Sequence, residues 1–201
     1  MRLILSATLS LCALLTIISG QTPVSQALSK QEWEKLFSAL ESEDWEKSAE
    51  LSKQYLARQK TDDPEKSMAR LRYMLLFSSA GKVALGTMSY EDLQKVTAAL
   101  VGQEVQLPYG KIMRDCRGNL GAICFTPGGS HDVTVGSGNK NGTYIHAFVY
   151  TDLREKFDYD AHLGKIGTVR GIVESVQYNP NESKVWIMRV FLKDGSIVLA
   201  Q

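Results

Sequence analysis

Near Glu104 the apolar residues change their period, and no other feature limits the fold of this chain as much. Before that point they recur at helical spacing. Trp33, Leu36, Phe37 and Leu40 fall at i, i+3, i+4 and i+7, which puts them on one helix face. Beyond it, apolar and polar residues alternate in short runs separated by Gly, Asn and Pro, the pattern of half-buried strands. A run of helices followed by a run of strands predicts an α+β chain. The expected parts are a helical part over 28–104 and a β-rich part over 105–201.

Four helices are predicted in the first part. Ser29 and Glu32 have the spacing of a capping box, which starts the first. The second begins near Glu43 and carries Trp45, Ala49, Ser52 and Leu56 on one face. It ends by Lys60, because Asp62-Asp63-Pro64-Glu65 reads as a restart with Asp as cap and Pro at the first position. The third differs in kind: Met68, Leu71 and the run Tyr73 to Phe77 occupy nearly all its faces, so it is expected to be the central, covered helix. Gly81 and Gly86 loosen or end it. Ser89 with Asp92 caps a fourth, running through Leu93, Val96 and Leu100 to Gly102. Short links between the helices predict an antiparallel bundle or stack.

In the second part the expected strands are 105–113, 122–125, 132–135, 143–151, 165–178, 184–192 and 196–199. Turn clusters such as Pro127-Gly128-Gly129, Asn179-Pro180-Asn181 and Lys193-Asp194-Gly195 separate several of them. Short strands joined by hairpin turns predict a small antiparallel β-barrel or sandwich. Gly164, Gly167 and Gly171 suggest a coil or bulge that bends the long strand around a corner.

Two stretches carry family resemblances. Trp33-x-x-Leu36, then Asp44-Trp45-Glu46-Lys47-Ser48-Ala49 and Asp63-Pro64, resembles a tetratricopeptide unit over 33–64. Trp33, Leu36 and Ala49 match that pattern, whereas Phe37 stands where the family usually has glycine and Lys53 where it has an aromatic. The resemblance implies a groove for a peptide or protein ligand, with Trp33, Trp45 and Tyr55 as candidate groove residues. In an ordinary helical bundle the same three would be core. Gly164 to Val176, with Lys184 to Val198 as the next hairpin, looks like the start of an oligonucleotide/oligosaccharide-binding barrel over 164–199.

The amino terminus reads as an export signal. Arg2 precedes an uncharged apolar run from Leu3 to Ser19, shorter than the ~20 residues of a spanning helix. Pro23 stops any continuing helix, and Ser25-Gln26-Ala27 supplies small residues for cleavage after Ala27. The expectation is a signal peptide over 1–27, no membrane span after cleavage, and a mature chain in an extracytoplasmic compartment, periplasmic or secreted. Cys12 leaves with the signal, and Cys116 and Cys124 remain. An oxidising compartment favours a disulfide between them over two buried thiols. The intervening Gly118, Asn119 and Gly121 would let the segment turn as a hairpin, and closing so short a loop would contribute about 2 to 3 kcal/mol.

Charge and motifs narrow the function less. Lys and Arg number 23 against 22 Asp and Glu, and neither half carries a basic excess of the kind phosphate binding needs, so no nucleic-acid partner is expected. The sequence contains no G-x-S-x-G elbow, H-E-x-x-H pair, phosphate loop or G-x-G-x-x-G turn. Gly136-Ser137-Gly138 reads as a hairpin tip. His131, His146 and His162 are too dispersed for local metal ligation, and Ser130-His131-Asp132 is no local triad, because strand neighbours point to opposite faces. No metal or cofactor is expected. One strand stands out: Tyr144, His146, Phe148 and Tyr150 share a face between Thr143 and Thr151 and are candidates for stacking a ligand ring. Covering by the helices, or by Phe157 and Tyr159, is the alternative for that face. The leading expectation is a non-catalytic exported protein that docks a protein partner. Behind it stand a small-ligand or oligosaccharide-binding barrel, and then an enzyme built from dispersed His, Asp and Cys residues.

Overall fold

The computed structural model describes residues 27–59, 67–116, 119, 121–125, 129–138, 147–182 and 186–200. The expected signal and the Asp62 to Glu65 restart lie outside the described residues. Helix α1 (Lys30–Glu41) starts at the capping box: the Glu32 amide donates to Ser29 Oγ at 3.3 Å, and the Ser29 amide donates to the Glu32 carboxylate at 2.9 Å. Arg58, in the last turn of α2 (Trp45–Arg58), reaches back to Glu32 at 2.6 Å. That hydrogen bond, with the capping amide, holds the Glu32 carboxyl below its ordinary pKa. Asp44 caps α2 by accepting from the Lys47 amide at 3.1 Å. Helix α4 (Tyr90–Ala98) begins with Ser89 Oγ accepting from the Asp92 amide at 3.0 Å. It stops at Ala98, short of the expected Gly102.

Helix α3 (Ser67–Leu85) is the covered one, and it belongs to two cores. Leu71 and Met74 pack with Leu36, Ala39, Leu51 and Tyr55 of α1 and α2. Tyr73, Leu76, Ala80 and Val83 join Leu93 of α4 and sheet residues including Val105, Ile112, Val149 and Leu192. Small side chains let α2 lie close: Ser48, Ser52, Ser78 and Ser79 are fully buried, and Ser48 Oγ donates to Ser78 Oγ at 2.7 Å. The Trp45 indole rests directly on Gly81. A Cβ at that glycine would stand 2.6 Å from Trp45 Cγ.

Seven strands follow: β1 (Glu104–Gln106), β2 (Gly110–Met113), β3 (Ile123–Phe125), β4 (Val133–Gly136), β5 (Ala147–Leu153), β6 (Ile166–Tyr178) and β7 (Met188–Leu199). They pair in the order β1-β6-β2-β3-β4-β5-β7, and β7 pairs again with β6, so the sheet closes on itself. The fold is thus α+β, four helices and then a closed sheet. Three details differ from expectation. First, the sheet is mixed, because β2 runs parallel to β3 and β5 parallel to β7. The strands on either side of the Cys116 to Cys124 segment therefore pair parallel, not as the antiparallel hairpin expected. Ile123 and Cys124 lie beside Ile112 and Met113, and the two cysteines stand at disulfide distance with their Cα atoms 5.8 Å apart.

Second, the strand expected over 105–113 is split at Leu107-Pro108-Tyr109, since Pro108 has no amide for the ladder. Both pieces still pair with β6, from Glu104↔Ile172 to Lys111↔Ile166. Third, Lys193-Asp194-Gly195 is a bulge inside β7, not a turn between two strands. Asp194 takes a left-handed φ of 52°, and the β6–β7 register slips between Arg170 and Ile172. Gly195 is needed there, because a Cβ would lie 2.9 Å from the Asp152 carbonyl. Gly171 sits in the β6 slip, which is where the long strand was expected to bend. Among the described residues no helix is long and apolar enough to cross a membrane.

Two stability tests follow. Gly81→Ala should lose about 1 to 3 kcal/mol in urea unfolding, because the added methyl has to displace the Trp45 ring. Cys116→Ser with Cys124→Ser should lose about 2 to 3 kcal/mol. Dithiothreitol should then lower the unfolding midpoint of the parent chain and leave that of the double variant unchanged.

Candidate functional site: a groove between the helices and the sheet

A groove of about 340 Å³ opens where α1 and α3 meet the closed sheet. Phe37 and Leu40 come from one face of α1, the face set by the helical period that begins at Trp33. Tyr73, Met74 and Phe77 come from α3, where i, i+1 and i+4 spacing turns them to one side. Pro108 and Tyr109, which break the strand along β6, supply the opposite lip, and Val135 and Ser137 close the end of β4. Phe37 is 44% exposed and Tyr109 is 55% exposed, so the lips hold large apolar rings in water. Among the described residues Glu41 is the only charged residue of the lining.

The floor carries one polar handle. The Tyr73 hydroxyl and Ser137 Oγ share a hydrogen bond of 3.0 Å, although the rest of Tyr73 is buried. Burial pushes the Tyr73 phenol up to about 12, and the bond to Ser137 offsets only part of that. Phe77 stacks on Tyr73 with ring centroids 6.0 Å apart and meets the edge of Trp45 at 5.4 Å. The lining thus offers apolar surface and a pair of neutral hydroxyls. It is suited to holding a ligand.

The residues singled out in the sequence fall in several places. Trp45 and Tyr55 are each 3% exposed and belong to the core, not to a groove. Trp33 is half-buried and stacks on Phe37 at 5.7 Å, which brings it to the groove's lip. Tyr144 and His146 lie outside the described residues, and Phe148 is described only by its place in β5. Tyr150 stacks on Phe191 of β7 at 5.3 Å, and the His131 ring sits 5.4 Å from Tyr150. Phe157 and Tyr159 stack on Phe125, at 5.6 and 4.8 Å.

His131 finds its acid across the sheet. Its Nδ1 lies 3.0 Å from Asp152, whereas the adjacent Asp132 accepts the Leu153 amide at 2.9 Å. The pairing of Val133 with Thr151 in the β4–β5 ladder makes that juxtaposition, and no sequence spacing announces it. His162 lies against Phe157 and within 3.3 Å of Lys165. Among the described residues no three His, Cys, Asp or Glu side chains come together as a metal site would require. The groove's own residues were mostly missed. In the sequence Phe37 reads as part of the apolar face of the first helix and as a departure from the tetratricopeptide pattern, and Ser137 as part of a hairpin tip.

Tyr73 makes the groove floor sensitive to alkali. Its phenol ionises near 10.0 when unfolded and near 12 when folded. Unfolding therefore releases a proton between those values, and stability falls as pH rises through them. The parent chain should lose about 2 to 3 kcal/mol more across that window than Tyr73→Phe, measured by urea unfolding at each pH. Equal losses in the two proteins would place the hydroxyl in solvent.

No family model, no curated protein and no solved structure matches the chain.

Proposed function

We propose that this chain is an exported, non-catalytic binding protein, periplasmic or secreted, that holds an apolar segment of a protein partner in the groove between its helices and its sheet. One observation carries the reading. Phe37 and Tyr109, brought from α1 and from the β1–β2 link, stand 44% and 55% exposed on the two lips of an apolar groove with a single charged residue among the described lining. Exposed aromatic rings around an apolar floor are the anchors from which protein interfaces draw most of their energy. A tetratricopeptide-like α1–α2 pair and an OB-like β part belong to the same proposal. The paired cysteines and the lack of a spanning helix among the described residues are compatible with an extracytoplasmic setting.

A second reading rests on the outer side of β5 and β7. The stacked Tyr150 and Phe191 rings, only 16° from parallel, with the His131–Asp152 pair beside them, offer an apolar plane and hydrogen-bonding groups to a sugar ring.

Photo-crosslinking separates the two. Benzoylphenylalanine is placed at Phe37, at Tyr109, at Phe191 and at Leu85, which is 59% exposed at the far end of α3. In the native cells, positions 37 and 109 should crosslink to the same protein, and position 85 should not. Crosslinks of equal yield from all positions, or none from 37 and 109, would remove the groove as the docking site.

A further inference from the structure

A second opening lies at the bulges of the sheet, and its chemistry is the opposite of the groove's. At one level β5 slips register between Thr151 and Leu153, and β6 slips against β7 between Arg170 and Ile172. Beside these bulges a cleft of about 610 Å³ opens. Its size falls in the range of roughly 300 to 1,000 Å³ typical of small-ligand sites. Bulges of this kind re-aim side chains, and here they set Arg170 in the cleft wall.

Arg170 is held in place. Its Nε donates to Gln106 Oε1 at 2.8 Å, and Gln106 is only 2% exposed. A guanidinium oriented by a buried amide is preorganised. Arg170 enters no ion pair among the described residues, so its two terminal nitrogens are left as a fork for a carboxylate. Arg154 and Lys156 add positive charge to the lining, while Glu104, Glu155 and Asp194 add negative charge. A phosphate dianion would meet three carboxylates with three cations and gain little. A ligand with one carboxylate and one ammonium matches both signs. Leu153, Phe157 and Ile197 provide an apolar wall for a side chain, and the cleft is roomier than a single amino acid needs.

We propose that this cleft binds a short peptide of two or three residues with free termini and an apolar side chain, its C-terminal carboxylate taken by Arg170. The assignment is independent of the partner groove.

The probe is the dipeptide Leu-Ala, beside its C-terminal amide and its N-acetyl form, titrated into the 15N-labelled mature chain up to about 10 mM. Leu-Ala should shift the amide signals of Arg170, Gly195 and Ser196. Amidation should weaken binding at least tenfold, and acetylation should weaken it by a smaller factor. Arg170→Gln should bind Leu-Ala no better than the parent binds the amide. Arg170→Lys, which keeps the charge without the fork, should fall between them and carries the test if the Gln variant does not fold. The proposal is overturned if the amide binds as tightly as Leu-Ala, if Arg170→Lys is unchanged, if inorganic phosphate displaces Leu-Ala at equal concentration, or if no signals shift.

Discussion

Most of helix α3 is buried on more than one side, and the rest of the molecule is arranged to cover it. Each fully buried Leu along it contributes about 1.5 to 3 kcal/mol only if something covers it. A single neighbouring layer covers one stripe of a helix and leaves the other exposed. Here α1 and α2 cover Leu71 and Met74, while α4 and the closed sheet cover Leu76, Ala80 and Val83. The helical and β parts are therefore bound by one shared element. The groove forms where these two covers fail to meet, over Tyr73 and Phe77.

The closed sheet solves a different problem. Open sheets leave edges that invite pairing with other chains. Because β7 pairs with both β5 and β6, and β6 with β2, the ladder returns to its start. Such closure requires long strands that bend. The bend is placed at Gly171 and the Asp194-Gly195 bulge, where side chains would collide with the neighbouring strands. The same bulges lie beside Arg170, which stays paired with Gln106 and Ser196, and they form part of the cleft wall.

What could be read in advance was whatever depends on near neighbours in the chain. The Ser29–Glu32 box, the Ser89 cap and the all-round apolar face of α3 are local patterns, and the structure holds each of them. Which strand pairs with which is not local. The run between Cys116 and Cys124 has the composition of a hairpin, yet β3 turns out parallel to β2. Lys193-Asp194-Gly195 has the composition of a turn, yet the pairing of β7 with β5 and β6 carries the strand straight through it as a bulge. Composition marks where the backbone leaves the regular path, not how far it goes.

The site residues divide in the same way. Trp45 and Tyr55 were conspicuous because large aromatics are conspicuous, but a large ring is equally at home in a core, and Gly81 shows that the Trp45 site was shaped for its indole. Phe37 and Tyr109 look no different in sequence and are exposed. Their distinction comes from where they end up, with α1 at one lip and a proline-broken strand at the other. Pro108 is the informative residue in hindsight: by interrupting the ladder it frees Tyr109 from alternation and lets the ring stand at the groove mouth. A proline inside an alternating run signals more than a weakened strand. It marks the position at which a sheet can hand a side chain to a neighbouring layer.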